Sequence, residues 1–522
     1  MIKSSETTVC VHEHPRVDSL MGTSMTDVIQ GHNHIIHCEP ILPILLPHSG
    51  PYRPNEYQRR PLDSRRTSYL KTTIFSIDFV MGETSFKAII VGGGPVGLVA
   101  AHALEKANID FVVLENKADL SRDVGASVVI GPQNLRVMNQ LGVYGQLLGI
   151  GSQLQTNKSF LLDGYKFKQN NDLLALAGNH GVGYLAFHRA ELVRELYESL
   201  SDGVKRRYFT NQKVINIESL DTGVKVTTND GSVFEGSIVI GADGVHSVTR
   251  NTIRKLAIEE NPDIEWDPKD PFPAIYRCMW CSFPPPEAPG ANYEATSKDR
   301  SAMFLTSRDR GWILTYDKFP EPTTERHTYT EKDVEAFAAN IAEFPVNETL
   351  KVKDVFAKRQ TWGMSDLGEG VLKHWYWKRI VLAGDSCHKY TPNAGLGLNN
   401  GIQDIVVLSN ELHKAVRAQP TENISTEALE QIFKTYQEAR REPAIQDCNQ
   451  SAMVTRVQTW ASWFHYLLSR FIFARNFVGW LMRRYVISPA IRQASVFDFI
   501  PAKDLPAGTV SWVHPVPNLR SE

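Results

Sequence analysis

Lys87 to Asn116 reads KAIIVGGGPVGLVAAHALEKANIDFVVLEN. Ala88 to Val91 is a short, continuous apolar run that stops at glycine, the pattern of a strand buried on both faces. Gly92, Gly94 and Gly97 follow in GxGxxG spacing. Pro95 suits the first position of a helix, expected to run to Ala107. A second strand, Phe111 to Leu114, ends on Glu115, 18 residues after Gly97. The three glycines have separate tasks: Gly92 permits a tight turn, Gly94 a close approach of backbone to a pyrophosphate, and Gly97 close packing of helix on strand. The helix start offers unpaired N–H groups and a positive dipole end to an anion. Glu115 stands where an acid bonds a ribose hydroxyl. Strand, turn, helix, strand and terminal acid in register predict an α/β, Rossmann-like dinucleotide-binding domain.

NAD and FAD proteins share this unit, so the rest of the chain must decide between them. At 522 residues it has room for more than one domain. Composition is that of a globular protein, and a net charge of −2 offers no field for a nucleic-acid partner. The six cysteines are scattered and form no disulfide framework, which points to a reducing, intracellular compartment. Cys278 and Cys281 make a CxxC whose neighbours Tyr276 and Phe283 suggest a strand, and no second pair completes a metal site.

Residues 1–80 show neither period of a folded element and no secretory signal, and are expected to be a dispensable extension. His32, His34, His37 and Cys38 lie there without a rigid frame to fix ligand geometry. Residues 81–260 form the first part of the dinucleotide domain. Within it, Pro132 to Leu141 reads as a helix. Phe187-His188-Arg189 delivers a cation to a strand-to-helix junction, and Val204 to Glu235 carries hairpin signals. Residues 261–346 read as an inserted, mainly antiparallel β domain that roofs the cofactor with a substrate site. Residues 347–450 return to the first domain, with a buried strand near Trp377 to Leu382 and a helix from Leu398 to Leu412 whose start faces the Pro392–Gly397 loop.

Residues 451–522 form a helical tail. From Arg456 to Arg492 it has six arginines, no Asp or Glu, and many aromatic residues. Arg470 and Arg475 interrupt any span of transmembrane length. The tail admits two readings: an interfacial membrane anchor, or a helical hairpin packed on the other domains.

Three separated elements now align: GGGPVG with Glu115, GADG at 241–244, and AGDSCHKYTPNAGLG at 383–397. Together they resemble the FAD-dependent monooxygenases of the para-hydroxybenzoate and salicylate hydroxylase type. In GASVVIGPQN, FHRAEL, YRCMW and HKYTPN the chain is similar to the fungal paxilline-type epoxidases of meroterpenoid and indole-diterpene pathways. The resemblance implies FAD as cofactor and NADPH or NADH as a transient electron donor without a Rossmann domain of its own. It implies O2 as co-substrate, a prenylated or aromatic small molecule as substrate, and no metal. Epoxidation of a prenyl chain is the leading expectation, with soluble phenol hydroxylation as the alternative. Gly92, Gly94, Gly97, Glu115, Val129, Arg189, Asp243, Asp385 and Leu398 would hold the cofactor, Asp243 also serving the nicotinamide. Tyr276 would be the active-site tyrosine. The family commonly has Gly at the position of Val129 and Ala at that of Leu398, so Leu398 would narrow the site beside the flavin. A membrane-partitioned substrate would place the enzyme at the endoplasmic reticulum surface.

Overall fold

The computed structural model describes residues 86–120, 123, 125–419 and 423–519. The expected extension 1–80, with His32, His34, His37 and Cys38, lies outside the described residues.

The opening stretch folds as its pattern dictates. Strand Lys87–Val91 pairs in parallel with Asp110–Leu114 on one side and Ile238–Gly241 on the other. The parallel run continues to Tyr208–Phe209 at one edge and Ile380–Leu382 at the other. Tyr376–Trp377 adds an antiparallel end strand, giving six strands in all. The helix between the first two strands, Pro95–Lys106, has Pro at its start and buries Leu98, Val99 and Leu104. Each such side chain contributes about 1.5–3 kcal/mol. Gly97 makes that contact feasible: a Cβ there would lie 1.9 Å from the Gly92 carbonyl oxygen. Gly92 itself sits at φ +102°, where only glycine is comfortable. The long helix Leu396–Ala418 crosses the first helix at Gly401, where a Cβ would strike Val96 Cγ2 at 2.6 Å.

The second sheet has seven strands in the order Thr361–Gly368, Ala274–Phe283, Gly311–Thr323, Arg300–Thr306, Ala291–Ser297, Thr156–Phe160, Lys166–Asn170. All neighbours are antiparallel except Ala291–Ser297 with Thr156–Phe160. Its first and last strands therefore come from outside 261–346, because edge positions are filled by whichever segments reach them in space. Helices Glu331–Asn340 and Val352–Phe356 supply apolar residues to one face. Thr330 and Asp333 form a reciprocal capping box at the first of them. The other face carries Met303, Leu305 and Leu314. Cys278 and Cys281 lie three apart on one strand, so they point to opposite faces and cannot join one ligand set. Burial pushes both thiols up to about 12.

The C-terminal part divides in two. Helix Thr426–Gln458 leads into a run of short helical turns from Trp463 to Ile491. No helix among the described residues is long and apolar enough to cross a membrane. Beyond Ile491 the chain is irregular, not helical, and returns to the first domain. Asp504 takes a bidentate pair from the buried Arg136, and Trp512 stacks on that guanidinium at 4.2 Å. Gln140 donates to the carbonyls of Phe497 and Ile500, each at 2.7 Å. Over its described residues, 451–519, the expected tail is thus a helical segment followed by a strap on helix Pro132–Leu141.

Candidate active site

A cavity of about 490 Å³ lies between the inner face of the second sheet and the loops that follow the parallel strands. Its two walls differ in chemistry.

The polar wall is built by three separate elements. The first helix begins at Gly94, and the long helix at Gly395 (φ +65°); neither start has a side-chain cap. Both present unpaired backbone N–H groups and the positive end of a helix dipole. Arg189 is the first residue of helix Arg189–Glu198 and lines the same space. Its guanidinium makes no hydrogen bond or ion pair with a described residue. Opposite stands Asp385, on the turn Gly384–Ser386. Burial pushes its carboxyl up, and the charges of His388, Lys389 and Arg189 oppose that shift. At Gly94 a Cβ would meet nothing within 4 Å, so the backbone faces open space where a phosphate could approach. Two helix starts and an arginine with no partner among the described residues suit a diphosphate dianion, and the acid suits a polar ring edge or hydroxyl. The residues present fit FAD.

The structure brings Gly94, Val129, Arg189, Asp385 and Leu398 to this wall. Gly92 and Gly97 shape the turn behind it. Glu115 is buried behind the loop: Oε2 accepts from Gly93 N and Oε1 from Lys117 N, both at 2.7 Å. Each oxygen keeps a lone pair for a further donor. Asp243 and Tyr276 are off the wall as well. Asp243 turns inward and accepts from Ser247 Oγ at 2.5 Å, Thr249 N at 2.9 Å and Thr249 Oγ1 at 3.0 Å. It caps the start of helix Val248–Glu260, and its neighbours Ala242 and Gly244 reach the cavity instead. Tyr276 is fully buried in the second sheet, its hydroxyl 3.0 Å from Thr459 Oγ1. It shares a sheet face with Met303, Leu305 and Leu314 but is not among the residues that line the cavity.

Sequence reasoning missed two supporting networks. Asn399 Oδ1 accepts from Gly131 N and Asn134 Nδ2, and its Nδ2 donates to Val129 O at 2.8 Å. This ties strand Ser127–Ile130 to the long helix and sets Val129 beside Leu398. Asp404, fully buried, accepts from Gly384 N, His388 Nε2 and Arg440 Nε. An acid inside the apolar run GIQDIVVL was the available signal. Cys387, His388 and Asp404 lie close enough together to suggest a metal site. Arg440 already occupies the cation position on Asp404 at 2.9 Å, and the cluster is an internal ion-pair network.

Replacing Arg189 with Met is expected to weaken FAD binding about 10- to 100-fold, the loss of one charge-assisted contact of ~1.5–3 kcal/mol. The melting temperature of the apoprotein should move little, since the guanidinium makes no hydrogen bond or ion pair with a described residue. Titration of apoprotein with FAD checks this; unchanged affinity would remove Arg189 from the phosphate site.

Residues 85–451 match the family model described as an FAD binding domain. The chain is 34% identical over 451 residues to the FAD-dependent monooxygenase srdH of Neurospora crassa, covering 83% of this chain and 99% of the relative. It is 32% identical over 400 residues to the FAD-dependent monooxygenase ausM of Penicillium brasilianum, covering 75% and 83%. Among solved structures, HpxO of Klebsiella pneumoniae complexed with FAD and uric acid superposes with a TM-score of 0.61 at 19% identity, over 78% of this chain and 96% of that one. The last likeness establishes the fold alone.

Proposed function

Because this chain belongs to the FAD binding domain family and is an FAD-dependent monooxygenase, we propose that it oxidises an apolar, prenylated small molecule with NADPH or NADH and O2. The favoured reaction is epoxidation of the prenyl chain of a meroterpenoid or indole-diterpene intermediate. The observation that carries this is the second wall of the cavity. Leu154, Leu173, Leu176, Met303, Leu305 and Leu314 line it, with Asn292 and Tyr184 as its polar side chains, and the cavity's carboxylate, Asp385, stands on the opposite wall. A phenol is activated by a base that takes its proton; an alkene needs none. An apolar wall also desolvates a hydrocarbon chain at a gain of about 0.8 kcal/mol per CH2.

FAD, when bound, supplies the redox chemistry: it accepts a hydride from the nicotinamide and activates dioxygen. The protein's residues bind and orient. The two helix starts and Arg189 face the negative charge of the cofactor. Asp385, held by its turn, would accept hydrogen bonds from the polar side of the cofactor. Leu398 and Val129 pack where the two walls meet and exclude water. An apolar substrate would lie along the leucine wall. On this reading the enzyme would work inside the cell, at the endoplasmic reticulum surface, where such a substrate partitions.

The test is aerobic NADPH oxidation by the holoenzyme with a prenylated indole or aromatic compound, set against salicylate, with the added oxygen located by mass fragmentation. One oxygen gained on the prenyl chain is expected. Oxygen on a phenol ring, with no coupling to prenylated compounds, would replace this reading with that of an aromatic hydroxylase.

A further inference from the structure

We propose that the segment from Trp463 to Ile487 is an interfacial docking surface for an anionic lipid bilayer, and that it holds the mouth of the cavity against the membrane. The inference shares with the proposed function the idea of a lipid-borne substrate, but it stands on its own surface and can be tested without any substrate.

The segment is a chain of short turns: Trp463–Leu467, Leu468–Ile472, Asn476–Met482 and Arg483–Ile487. None of these turns buries a large side chain. Trp463 is 75% exposed and Phe477 66%, and Phe464, Phe471, Trp480 and Tyr485 are also exposed. Large aromatic side chains are normally covered, and single exceptions need no explanation; a contiguous set does. These form ring-to-ring contacts along the segment, from Trp463 to Phe464 and from Phe477 through Trp480 to Tyr485.

Charge identifies the occupant. From Ser462 to Arg492 there are five arginines and no Asp, Glu or Lys. Arg483 is consumed by an ion pair with Asp172, and Arg470 stacks on Phe167. Arg475 and Arg484 pair with no acid among the described residues. Exposed tryptophan, tyrosine and phenylalanine with unneutralised arginine match the headgroup region of an anionic bilayer, where rings sink to the acyl boundary and guanidinium groups stay at the phosphates. A second copy of the same face would set arginine against arginine. No turn here is long enough to span, so the surface lies in the interface plane.

The same segment borders the cavity. Ile487 lines it, as do Leu173 and Leu176 of helix Asp172–His180. Asp172 of that helix carries the Arg483 ion pair and packs against Gly479, where a Cβ would come within 2.6 Å of Asp172 Oδ2. The docking surface and the apolar wall are therefore fastened to one helix. An apolar molecule leaving the bilayer at this point meets leucines and not water.

The test uses the FAD-loaded full chain and sedimentation with vesicles of phosphatidylcholine, with and without phosphatidylserine, and no substrate. Binding to the anionic vesicles is expected, weakening at high salt. The triple variant Trp463→Ser, Phe477→Ser, Trp480→Ser should lose it. Arg475→Glu with Arg484→Glu should lower it roughly tenfold or more, as two headgroup contacts are reversed. None of these residues lines the cavity, so FAD content and melting temperature should stay at wild-type values in both variants; a variant that loses its FAD is misfolded, and the comparison then rests on the other. Absence of wild-type binding to anionic vesicles, or equal binding to neutral ones, would overturn the proposal. So would a concentration-dependent dimer in solution that the triple variant abolishes. Epoxidase activity failing while vesicle binding persists would remove the substrate reading and leave the docking surface.

Discussion

Gly94→Val is expected to fold and to purify colourless. Gly94 lies at φ −69°, ψ −175°, a conformation that any residue adopts. A Cβ there meets no atom within 4 Å, so the apoprotein has no reason to lose stability. The new isopropyl group would instead project into the space between the first helix start and the rest of the polar wall, which the diphosphate must cross. Van der Waals exclusion of even one phosphate from two helix starts should weaken FAD binding by at least about 100-fold, close to 3 kcal/mol. Gly97→Ala is the contrasting case. Its methyl would press 1.9 Å from the Gly92 carbonyl oxygen, so helix and strand must separate, at a cost of about 1–3 kcal/mol or more. The two variants should therefore part in opposite ways: Gly94→Val keeps the apoprotein melting temperature and loses the flavin, while Gly97→Ala loses stability first. Melting curves of the apoproteins and a flavin titration decide it. Wild-type FAD affinity in Gly94→Val would mean that the phosphates do not pass this glycine.

Asp404→Ala should damage the fold severely. Three donors converge on this carboxylate: Gly384 N at 2.9 Å, His388 Nε2 at 2.6 Å and Arg440 Nε at 2.9 Å. Removing it leaves a buried guanidinium without its counter-charge, which costs about 3–5 kcal/mol. Asp404→Asn would keep an acceptor for Gly384 N but still strand Arg440. The pH dependence has a definite sign. Burial alone would raise the Asp404 carboxyl, but the charges of His388 and Arg440 and the Gly384 N–H overcome it and hold it below the ordinary carboxylate range. A depressed carboxyl contributes stability that is complete above its unfolded value of about 3.9 and is lost as pH falls through the lower folded value. Denaturant melts of the wild type should show this loss in acid, and Asp404→Asn should lack that component. Because Gly384 begins the turn that carries Asp385, flavin affinity should fall as well. A variant as stable as the wild type at neutral pH would show that the network is not what fixes the turn.

Much of this architecture is written locally. The run from Lys87 to Glu115 specifies strand, turn, helix and strand because each depends on nearest-neighbour sterics, on glycine at one positive φ and on proline at a helix start. Helix Pro132–Leu141, which ends at Gly142 in the left-handed region, is readable for the same reason. So is the delivery of Arg189 by a strand ending at His188. The three separated motifs also carried the family, since each combines a strand end with a loop of fixed chemistry.

Other features depend on contacts between distant segments. Asp243 sits on the motif loop as expected, yet its carboxylate turns to Ser247 and Thr249, because the helix start behind it offers better donors than the cavity does. Tyr276 meets Thr459, 183 positions away, and is fully buried there. The second sheet takes its edges from 156–170 and 361–368, which no local pattern assigns to it. The sequence by itself determined the dinucleotide fold, the family and the basic aromatic character of the segment near the C-terminus. Only the tertiary structure decided which acids face the cavity, that Asp404 with Arg440 braces the Asp385 turn, and that the aromatic rings from Trp463 to Tyr485 point outward. Backbone conformation is set by short-range sterics and hydrogen bonds that a sequence displays, whereas the direction of a side chain is set by the distant surface that packs against it.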